Sequence, residues 1–260
     1  MKVLTFSCAH IGPNQDLSRF NILSKLIVDQ KPEYVISLGD FVTMDSLSSW
    51  DSSSPRQQEG KRYAHDIQAG KTALYHLGSY IVKYNKTAED NKKRKYLPQF
   101  VFIHGNHEDR VSRYLDKNPV TEYHVNLDLD LRFKAFPTPV ILVPYKEDFE
   151  LGGIIFKHCF IGDNGKSISR ANVENYAIDG SGTSVVYGHH HFLRYKARKR
   201  ANAVTVQSLC VGTFAEHMDP YLDGANPDRW NGAIMLDIHA PGEYDFTTWS
   251  ITKMRREYGT

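Results

Sequence analysis

Hydrophobic residues recur along the chain in two patterns, short apolar runs that are typical of buried strands and a 3.6-residue repeat that is typical of amphipathic helices. An apolar run at residues 3–7 is followed by a helical repeat over residues 16–31 and by a second apolar run at 34–38. The pair Lys31-Pro32 predicts where the helix ends, because a residue that precedes proline disfavours helical backbone. A strand, a helix and a second strand in this order predict a βαβ unit, with a parallel sheet and a right-handed crossover.

The alternation of strands and helices continues through the chain. A long helix is predicted from Ile67 to Tyr84, and helical segments broken at Asn118-Pro119 are predicted between residues 108 and 136. Further strands are predicted at residues 100–103, 139–143, 153–160, 183–187, 203–209, 233–238 and 244–251, with a short helix at 169–176 and turns at 224–227 and 241–242. The strands after residue 193 are predicted to be antiparallel. Because no repeat or linker divides the sequence, residues 1–260 are predicted to form a single α/β domain.

Composition excludes several classes of protein. Lys and Arg total 32 against 30 Asp and Glu, so only a local patch could attract nucleic acid by charge. No apolar run approaches the roughly 18 residues of a membrane span, and residues 1–7 indicate a strand rather than a signal peptide. We therefore predict a cytoplasmic protein that does not bind a membrane. Three cysteines are too few for a disulfide framework, and Cys159 and Cys210 are predicted to be reduced core residues.

Polar side chains with metal-ligand chemistry follow five of the apolar runs, at the strand ends where open α/β sheets bind ligands. These residues are Cys8, His10, Asp40, Asn106, His107, His158, His189 and His191. In extended backbone, side chains two positions apart share a face, so Cys8 is predicted to converge with His10. The same alternation pairs His189 with His191 and separates His158 from Cys159. A carboxylate, an amide oxygen and several imidazoles suit Mn, Fe, Zn or Ni rather than calcium.

Five short motifs occur in a fixed order between residues 8 and 191. They read Cys8-Ala9-His10, Gly39-Asp40, Gly105-Asn106-His107-Glu108, His158 and Gly188-His189-His190-His191. This series resembles the signature of the calcineurin-like metallophosphoesterases, which is aspartate-x-histidine, Gly-Asp, Gly-Asn-His-(Asp/Glu), a lone strand histidine and Gly-His-x-His. The resemblance implies a four-layer α/β/β/α sandwich of two mixed sheets flanked by helices, with a pair of metal ions at the strand ends.

The resemblance also implies the role of each residue. One divalent ion would be held by His10, Asp40, His191 and the residue at position 8, and a second by Asp40, Asn106, His158 and His189. Such a pair of ions lowers the pKa of a bound water, so that a hydroxide attacks phosphorus. His107 would stabilise the developing charge or protonate the leaving oxygen, which makes His107 and Asp40 the predicted catalytic residues. Either Glu108 or Asp109 is a candidate to orient the imidazole of His107.

Cys8 departs from the motif, because the family usually has aspartate at this position. A thiolate is a softer ligand than a carboxylate, and it forms only when the thiol loses a proton. Three outcomes are open at this stage. Cys8 ligates the ion and favours zinc or iron, or it stays protonated and weakens the site, or it is inert and water takes its place. In the first two cases, oxidation of Cys8 is expected to impair activity.

Two further residues are candidates for substrate binding. Arg194 lies in the most basic run of the chain, residues 193–200, where alternate cations could face a phosphate backbone. The alternative is an edge strand whose cations prevent pairing with other molecules. Trp50 lies in a Ser-rich loop predicted at residues 45–57, either as a lid that touches substrate or as a plug that pins the loop.

The sequence therefore predicts a metal-dependent phosphoric ester hydrolase that acts on a phosphodiester or phosphomonoester, with a nucleotide or nucleic acid favoured by the basic run. A DNA-repair-type exonuclease is a second interpretation, although no DNA-grasping segment is evident beside the motifs. A catalytically degenerate metal-binding scaffold is the third, with Cys8 as the mark of lost chemistry. The presence of His107 and of every other ligand position argues against the scaffold.

Overall fold

Two mixed β-sheets form the centre of the structure, a computed structural model that describes residues 1–48, 59–169, 171, 173–200, 204–216 and 228–259. The six-stranded sheet comprises β1 (Lys2–Phe6), β2 (Tyr34–Leu38), β3 (Gln99–Ile103), β4 (Val140–Val143), β10 (Gly232–Ala240) and β11 (Glu243–Ser250). Its strand order is β11-β10-β1-β2-β3-β4, in which β1 to β4 run parallel and β10 is antiparallel to both of its neighbours. The predicted βαβ unit is confirmed, because β1 and β2 pair in parallel.

The second sheet has five strands, and its interior strands are parallel. It comprises β5 (Phe149–Leu151), β6 (Ile154–Lys157), β7 (Ser184–Tyr187), β8 (Leu193–Lys199) and β9 (Thr205–Val211). The order is β5-β6-β7-β9-β8, with β5 and β8 as antiparallel edge strands. Parallel strands therefore lie in the middle of both sheets, and their carboxyl ends carry the loops of interest.

Helices cover the outer face of each sheet. They are α1 (Ser18–Gln30), α2 (Tyr63–Asp90), α3 (Asp109–Lys117), α4 (Leu127–Asp130), α5 (Val173–Gly180) and α6 (Ile251–Tyr258). Helix α1 ends where the sequence predicts, because Lys31 takes a left-handed cap conformation (φ 50°) immediately before Pro32. None of the helices within the described residues is long and apolar enough to cross a membrane.

Three apolar clusters hold four layers together. Between the sheets, Ile36 and Val101 belong to one buried cluster with Phe156, Val186 and Leu209. A second cluster, which includes Phe20 of α1, Leu77 of α2 and Phe100 of β3, covers the outer face of the six-stranded sheet. A third joins Val173 and Ala177 of α5 to Val185 and Tyr187 of β7. The predicted four-layer α/β/β/α sandwich of two mixed sheets flanked by helices is therefore confirmed.

Several predicted elements differ from the structure. Strand β9 is antiparallel to β8 but parallel to β7, so the expectation of antiparallel strands after residue 193 is wrong for this pairing. Strand β6 ends at Lys157, which places His158 in the following loop rather than inside a strand. The helix predicted at residues 169–176 is observed as α5, several residues later. The apolar runs did not predict β5 or α6, because each element is short and only part of one face is buried.

Candidate metal centre

The predicted ligands lie in loops at the carboxyl ends of five parallel strands. Cys8 and His10 follow β1, Asp40 follows β2, and Asn106 and His107 follow β3; His158 follows β6, and His189 and His191 follow β7. Backbone hydrogen bonds join neighbouring loops, since the N–H of Cys8 donates to Gly39 O and that of His10 to Asp40 O, both at 2.9 Å. The N–H of Gly188 donates to His158 O at 3.0 Å in the other sheet. Backbone hydrogen bonds thus hold neighbouring loops together within each sheet.

Left-handed backbone, and not extended backbone, occurs at five of the predicted site residues. The φ angles are 51° at Cys8, 44° at His10, 52° at Asp40, 71° at His189 and 62° at His191. Non-glycine residues rarely adopt this region, and they persist there only when the surrounding structure holds them. The predicted convergence of Cys8 with His10 is therefore seen, but its predicted cause, the two-residue period of a strand, is wrong.

Close backbone packing explains two of the motif glycines. A Cβ atom on Gly105 would collide with the carboxylate and backbone of Asp40, and one on Gly188 would collide with the hydroxyl of Ser7. Without these glycines, the loops after β1, β2, β3 and β7 could not approach one another.

The ligand atoms form two sets that share the carboxylate of Asp40. In the first set, His10 Nε2 lies 3.1 Å from His191 Nε2 and 3.9 Å from Asp40 Oδ2. The Sγ atom of Cys8 lies within 4.8 Å of the ligand atoms of His10 and His191, and also within that distance of those of Asp40 and His158. The thiol is therefore placed at the boundary of the two sets.

The second set is centred on His158. Its Nε2 atom lies 3.0 Å from Asn106 Oδ1, 3.2 Å from His189 Nδ1 and 3.3 Å from Asp40 Oδ2. The Nδ1 atom of the same ring donates to the backbone oxygen of Leu38 at 2.7 Å. Because a carbonyl oxygen can only accept, Nδ1 carries a proton and Nε2 faces the cluster.

These distances fit divalent cations. Two donors that share an ion with bonds of about 2.0–2.2 Å lie about 3.0–3.5 Å apart in tetrahedral or octahedral geometry. The four short distances in the two sets, 3.0 to 3.3 Å, fall in that range. A buried carboxylate, an amide oxygen, a thiol and several imidazoles form the donor set of a borderline transition metal, so the residues present fit the pair of ions that the motif series implies.

Burial and mutual charge set the protonation of the donors. Burial lowers the pKa of His189 to about 3 and that of His191 to about 4, so both rings are neutral at pH 7 and offer a lone pair. Burial alone would raise the pKa of Asp40, but His158 and His107 bring it well below its usual value, and the carboxylate is ionised.

The thiol of Cys8 differs from the other donors, because it must lose a proton before it can bind a cation. Burial, followed by the charge of Asp40, raises the pKa of Cys8 well above its usual value. Two contacts oppose this shift: Sγ accepts the N–H of His189 at 3.2 Å and lies 3.0 Å from the hydroxyl of Ser7. A thiolate at this position would accept the His189 N–H, and the Ser7 hydroxyl is close enough to donate a second hydrogen bond.

His107 lies at the edge of the first set and is held by backbone groups. Its ring centroid is 4.5 Å from that of His10, its Nδ1 atom lies 2.8 Å from Thr43 O, and its N–H donates to Asp40 Oδ1 at 2.9 Å. The orienting group is thus the Thr43 carbonyl. Of the two carboxylates considered from the sequence, Asp109 pairs with Arg113 at 3.0 Å, and Glu108 accepts backbone N–H groups.

Glu108 was a candidate to orient His107, but the structure gives it a different role, which sequence reasoning did not predict. Its buried carboxylate accepts the backbone N–H groups of Asp40 at 2.9 Å, Val42 at 2.9 Å and Gly105 at 2.8 Å. The side chain therefore fixes the loop after β2 against the loop after β3. Its place in the Gly-Asn-His-Glu motif was a signal, but the backbone partners are far away in sequence.

Arg194, a predicted substrate-binding residue, does not join the cluster. The guanidinium of Arg194 contacts Glu174 Oε1 at 2.6 Å and Asp228 Oδ2 at 2.8 Å. Lys196 donates to Asn175, and Arg198 pairs with Asp179, so the cations of edge strand β8 meet groups on helix α5. Trp50 and most of its predicted loop lie outside the described residues. The three cysteines are buried and free, as predicted for Cys159 and Cys210.

The chain has low structural similarity and low sequence identity to the solved structures it matches. No protein-family model matches the chain, and no curated protein matches it. Among solved structures, Vacuolar Protein Sorting 29 from Cryptosporidium parvum has a TM-score of 0.41 and 13% identity, over 96% of this chain and 97% of that one. YfcE, a phosphoesterase from E. coli, has a TM-score of 0.37 and 14% identity over 96% and 100%. The Pseudomonas putida nuclease MPE has a TM-score of 0.37 and 14% identity over 94% and 87%. All three scores lie below 0.5, and the fold is defined by the chain's own strand order and helical layers.

Proposed function

We propose that this chain, whose fold and ordered ligand motifs resemble those of the calcineurin-like metallophosphoesterases, is a metal-dependent phosphoric ester hydrolase. One observation carries the proposal. Two sets of donor atoms at metal-ligand spacing share the buried carboxylate of Asp40, with the imidazole of His107 beside them. A lone metal site has no need of a shared carboxylate, whereas a pair of ions can bind both the attacking and the leaving oxygen of a phosphoester.

The residues divide between two divalent ions of the Mn, Fe, Zn or Ni class. Cys8, His10, Asp40 and His191 would hold one, and Asp40, Asn106, His158 and His189 the other. When bound, such ions act as Lewis acids toward a phosphoryl group and make a water more acidic. Asp40 and His158 are each only 2% exposed. The charge of ions bound there would therefore act in a region of low dielectric constant.

His107 is the proposed proton donor. Because its Nδ1 atom donates to Thr43 O, the neutral ring has its lone pair on Nε2, and a second proton binds there. The protonated ring can then give that proton to a leaving oxygen, or stabilise the charge on phosphorus oxygens. The Thr43 carbonyl also accepts from Arg110 at 2.9 Å, which fixes the position of this acceptor.

His107→Ala is expected to lower kcat for bis(p-nitrophenyl) phosphate by about 10²–10⁴-fold, the usual contribution of a positioned general acid. Metal content per chain should remain at the wild-type value, because the proposed ligands are all retained. The exposed residue His124 gives a matched control, and His124→Ala should keep full activity. A His107→Ala protein with wild-type turnover would contradict the assignment.

We further propose that Cys8 binds metal as a thiolate, because the His189 N–H donates to its sulfur and the Ser7 hydroxyl lies within hydrogen-bond distance of it. Co²⁺-loaded protein is then expected to show a thiolate-to-metal charge-transfer band, which Cys8→Asp removes and Cys210→Ser retains. Aspartate suits the left-handed backbone at position 8, so this variant should fold. Its metal preference should move from Zn²⁺ toward Mn²⁺, since a carboxylate is the harder ligand. Absence of the band in the wild type would show that the thiol does not ligate.

The competing functions predict different results from the same protein. A scaffold would bind metal but cleave neither aryl phosphodiesters nor aryl phosphomonoesters. An exonuclease would degrade an end-labelled DNA strand with a steep dependence on salt. The cations of β8 no longer favour nucleic acid over a mononucleotide, because Glu174 and Asp179 neutralise Arg194 and Arg198. The substrate is therefore proposed only as a phosphoester, with DNA, nucleotides and aryl esters as the panel to assay.

A further inference from the structure

Ser167 contacts the outer ring nitrogen of a proposed metal ligand. Its hydroxyl oxygen lies 3.2 Å from Nε2 of His189, while Nδ1 of the same ring faces His158 Nε2 at 3.2 Å. His158 is oriented differently, through the backbone oxygen of Leu38, which can only accept. A hydroxyl can accept or donate, so the partner of His189 does not impose one tautomer as a carbonyl does.

The hydroxyl is carried by a hairpin that is ordered by its own hydrogen bonds. Ile161 and Ser167 form an antiparallel bridge, Gly162 N–H donates to Lys166 O at 2.9 Å, and Ile168 N–H donates to Phe160 O at 2.9 Å. The hairpin begins directly after the loop that contains His158. The hydrogen-bonded hairpin therefore places the Ser167 hydroxyl beside Nε2 of His189.

We propose that Ser167 is a positioning residue that supports the ring of His189 by accepting the Nε2 proton when the Nδ1 lone pair faces the metal ion. When Nδ1 binds a cation, the ring proton must sit on Nε2, and the Ser167 oxygen accepts it. This contact also fixes the rotation of the ring about its Cβ–Cγ bond. Groups that orient a ligand in this way commonly change metal affinity by 10–100-fold. The inference rests on the metal centre of the proposed function, and it adds a residue outside the five motifs.

Zn²⁺ titration of metal-free protein by calorimetry tests the proposal. Ser167→Ala is expected to weaken one of two Zn²⁺ sites by about 10–100-fold, and Ser167→Thr, which keeps the hydroxyl, should restore the affinity. Ser169→Ala changes an exposed serine of the same segment and should bind as the wild type does. Thermal melting of each variant without metal shows whether the hairpin change unfolds the protein.

A second measurement reports on the ring itself. In Zn²⁺-loaded wild-type protein, ¹⁵N chemical shifts of His189 should show a proton on Nε2 with a hydrogen-bond partner. In Ser167→Ala that partner is lost, and a change in the Nε2–H signal is expected while His158 signals stay unchanged. Equal Zn²⁺ affinities and equal ring signals in Ser167→Ala and Ser169→Ala would overturn the role of Ser167.

Different results would refute the role of Ser167 and the proposed hydrolase activity. Wild-type protein that binds two Zn²⁺ ions but hydrolyses no phosphoester would refute the hydrolase, yet a weaker site in Ser167→Ala would still support the positioning role. Wild-type turnover with unaltered Zn²⁺ affinity in Ser167→Ala would refute only the positioning role. Wild-type protein that binds no Zn²⁺ would overturn both.

Discussion

Replacing Asp40 by asparagine is expected to lower kcat/KM for an activated aryl phosphodiester on the order of 10³-fold or more. The reason is the position of the carboxylate, with Oδ2 3.3 Å from His158 and 3.9 Å from His10, so that one substitution removes a ligand from both sets. The imidazole and amide donors bring no negative charge, so Asp40 is the carboxylate that compensates the charge of both ions. Asparagine keeps an oxygen that can accept the N–H of His107, which preserves the loop.

Elemental analysis of protein purified without added metal, together with steady-state hydrolysis, measures this effect. Asp40→Asn should contain fewer divalent ions per chain than the wild type. Asp245→Asn, at an exposed position of β11, provides the isosteric control and should match the wild type in both measurements. An Asp40→Asn protein with full metal content and full turnover would refute the shared-ligand arrangement.

Glu108→Gln is expected to lower the free energy of unfolding by about 3 kcal/mol, and Glu108→Ala by more. The carboxylate is 4% exposed and accepts three backbone N–H groups. An amide has one acceptor oxygen, so its NH₂ group would face at least one of those donors, and alanine would leave all three buried without an acceptor. Activity should fall as well, because the same bonds hold Asp40 against Gly105.

Urea unfolding followed by circular dichroism gives the change in stability. The neighbouring acid, Asp109, supplies a sharp control, because its carboxylate pairs with Arg113 at the surface and contributes at most about 1 kcal/mol. Asp109→Asn should therefore unfold near the wild-type midpoint. Similar losses in the two variants would show that the backbone contacts of Glu108 do not stabilise the loops.

The sequence predicted the parallel core well because each strand carries its own signal. Residues 100–103 are a continuous apolar run, and residues 34–38 are a run that only Ser37 interrupts, which is the pattern of strands buried on both faces. A glycine follows each run within two positions. The order of the ligand motifs then predicted which loops meet. The parallel pairing of β9 with β7 was not predicted, because the direction of β9 depends on packing between distant segments.

Site details depended on interactions that local patterns do not record. The convergence of Cys8 with His10 arises from left-handed backbone held by neighbouring loops, where a two-residue period had predicted extended backbone. Glu108 bonds to residues of the β2 loop, and Arg194 pairs with Glu174 and Asp228, all of them remote in sequence. Nothing in a basic run indicates that acidic residues of another element will neutralise it.

The proposed ligands come from both halves of the sandwich, and this has a thermodynamic consequence. Asp40 and Asn106 extend from the six-stranded sheet, and His158 and His189 from the five-stranded one, so an ion between them fastens one sheet to the other. An ion that binds only the native state adds RT ln(1 + [ion]/Kd) to its stability, about 2.7 kcal/mol at one hundred times Kd. Removal of the ions by a chelator would thus lower the free energy of unfolding. The melting temperature would then report ion occupancy in the absence of any substrate.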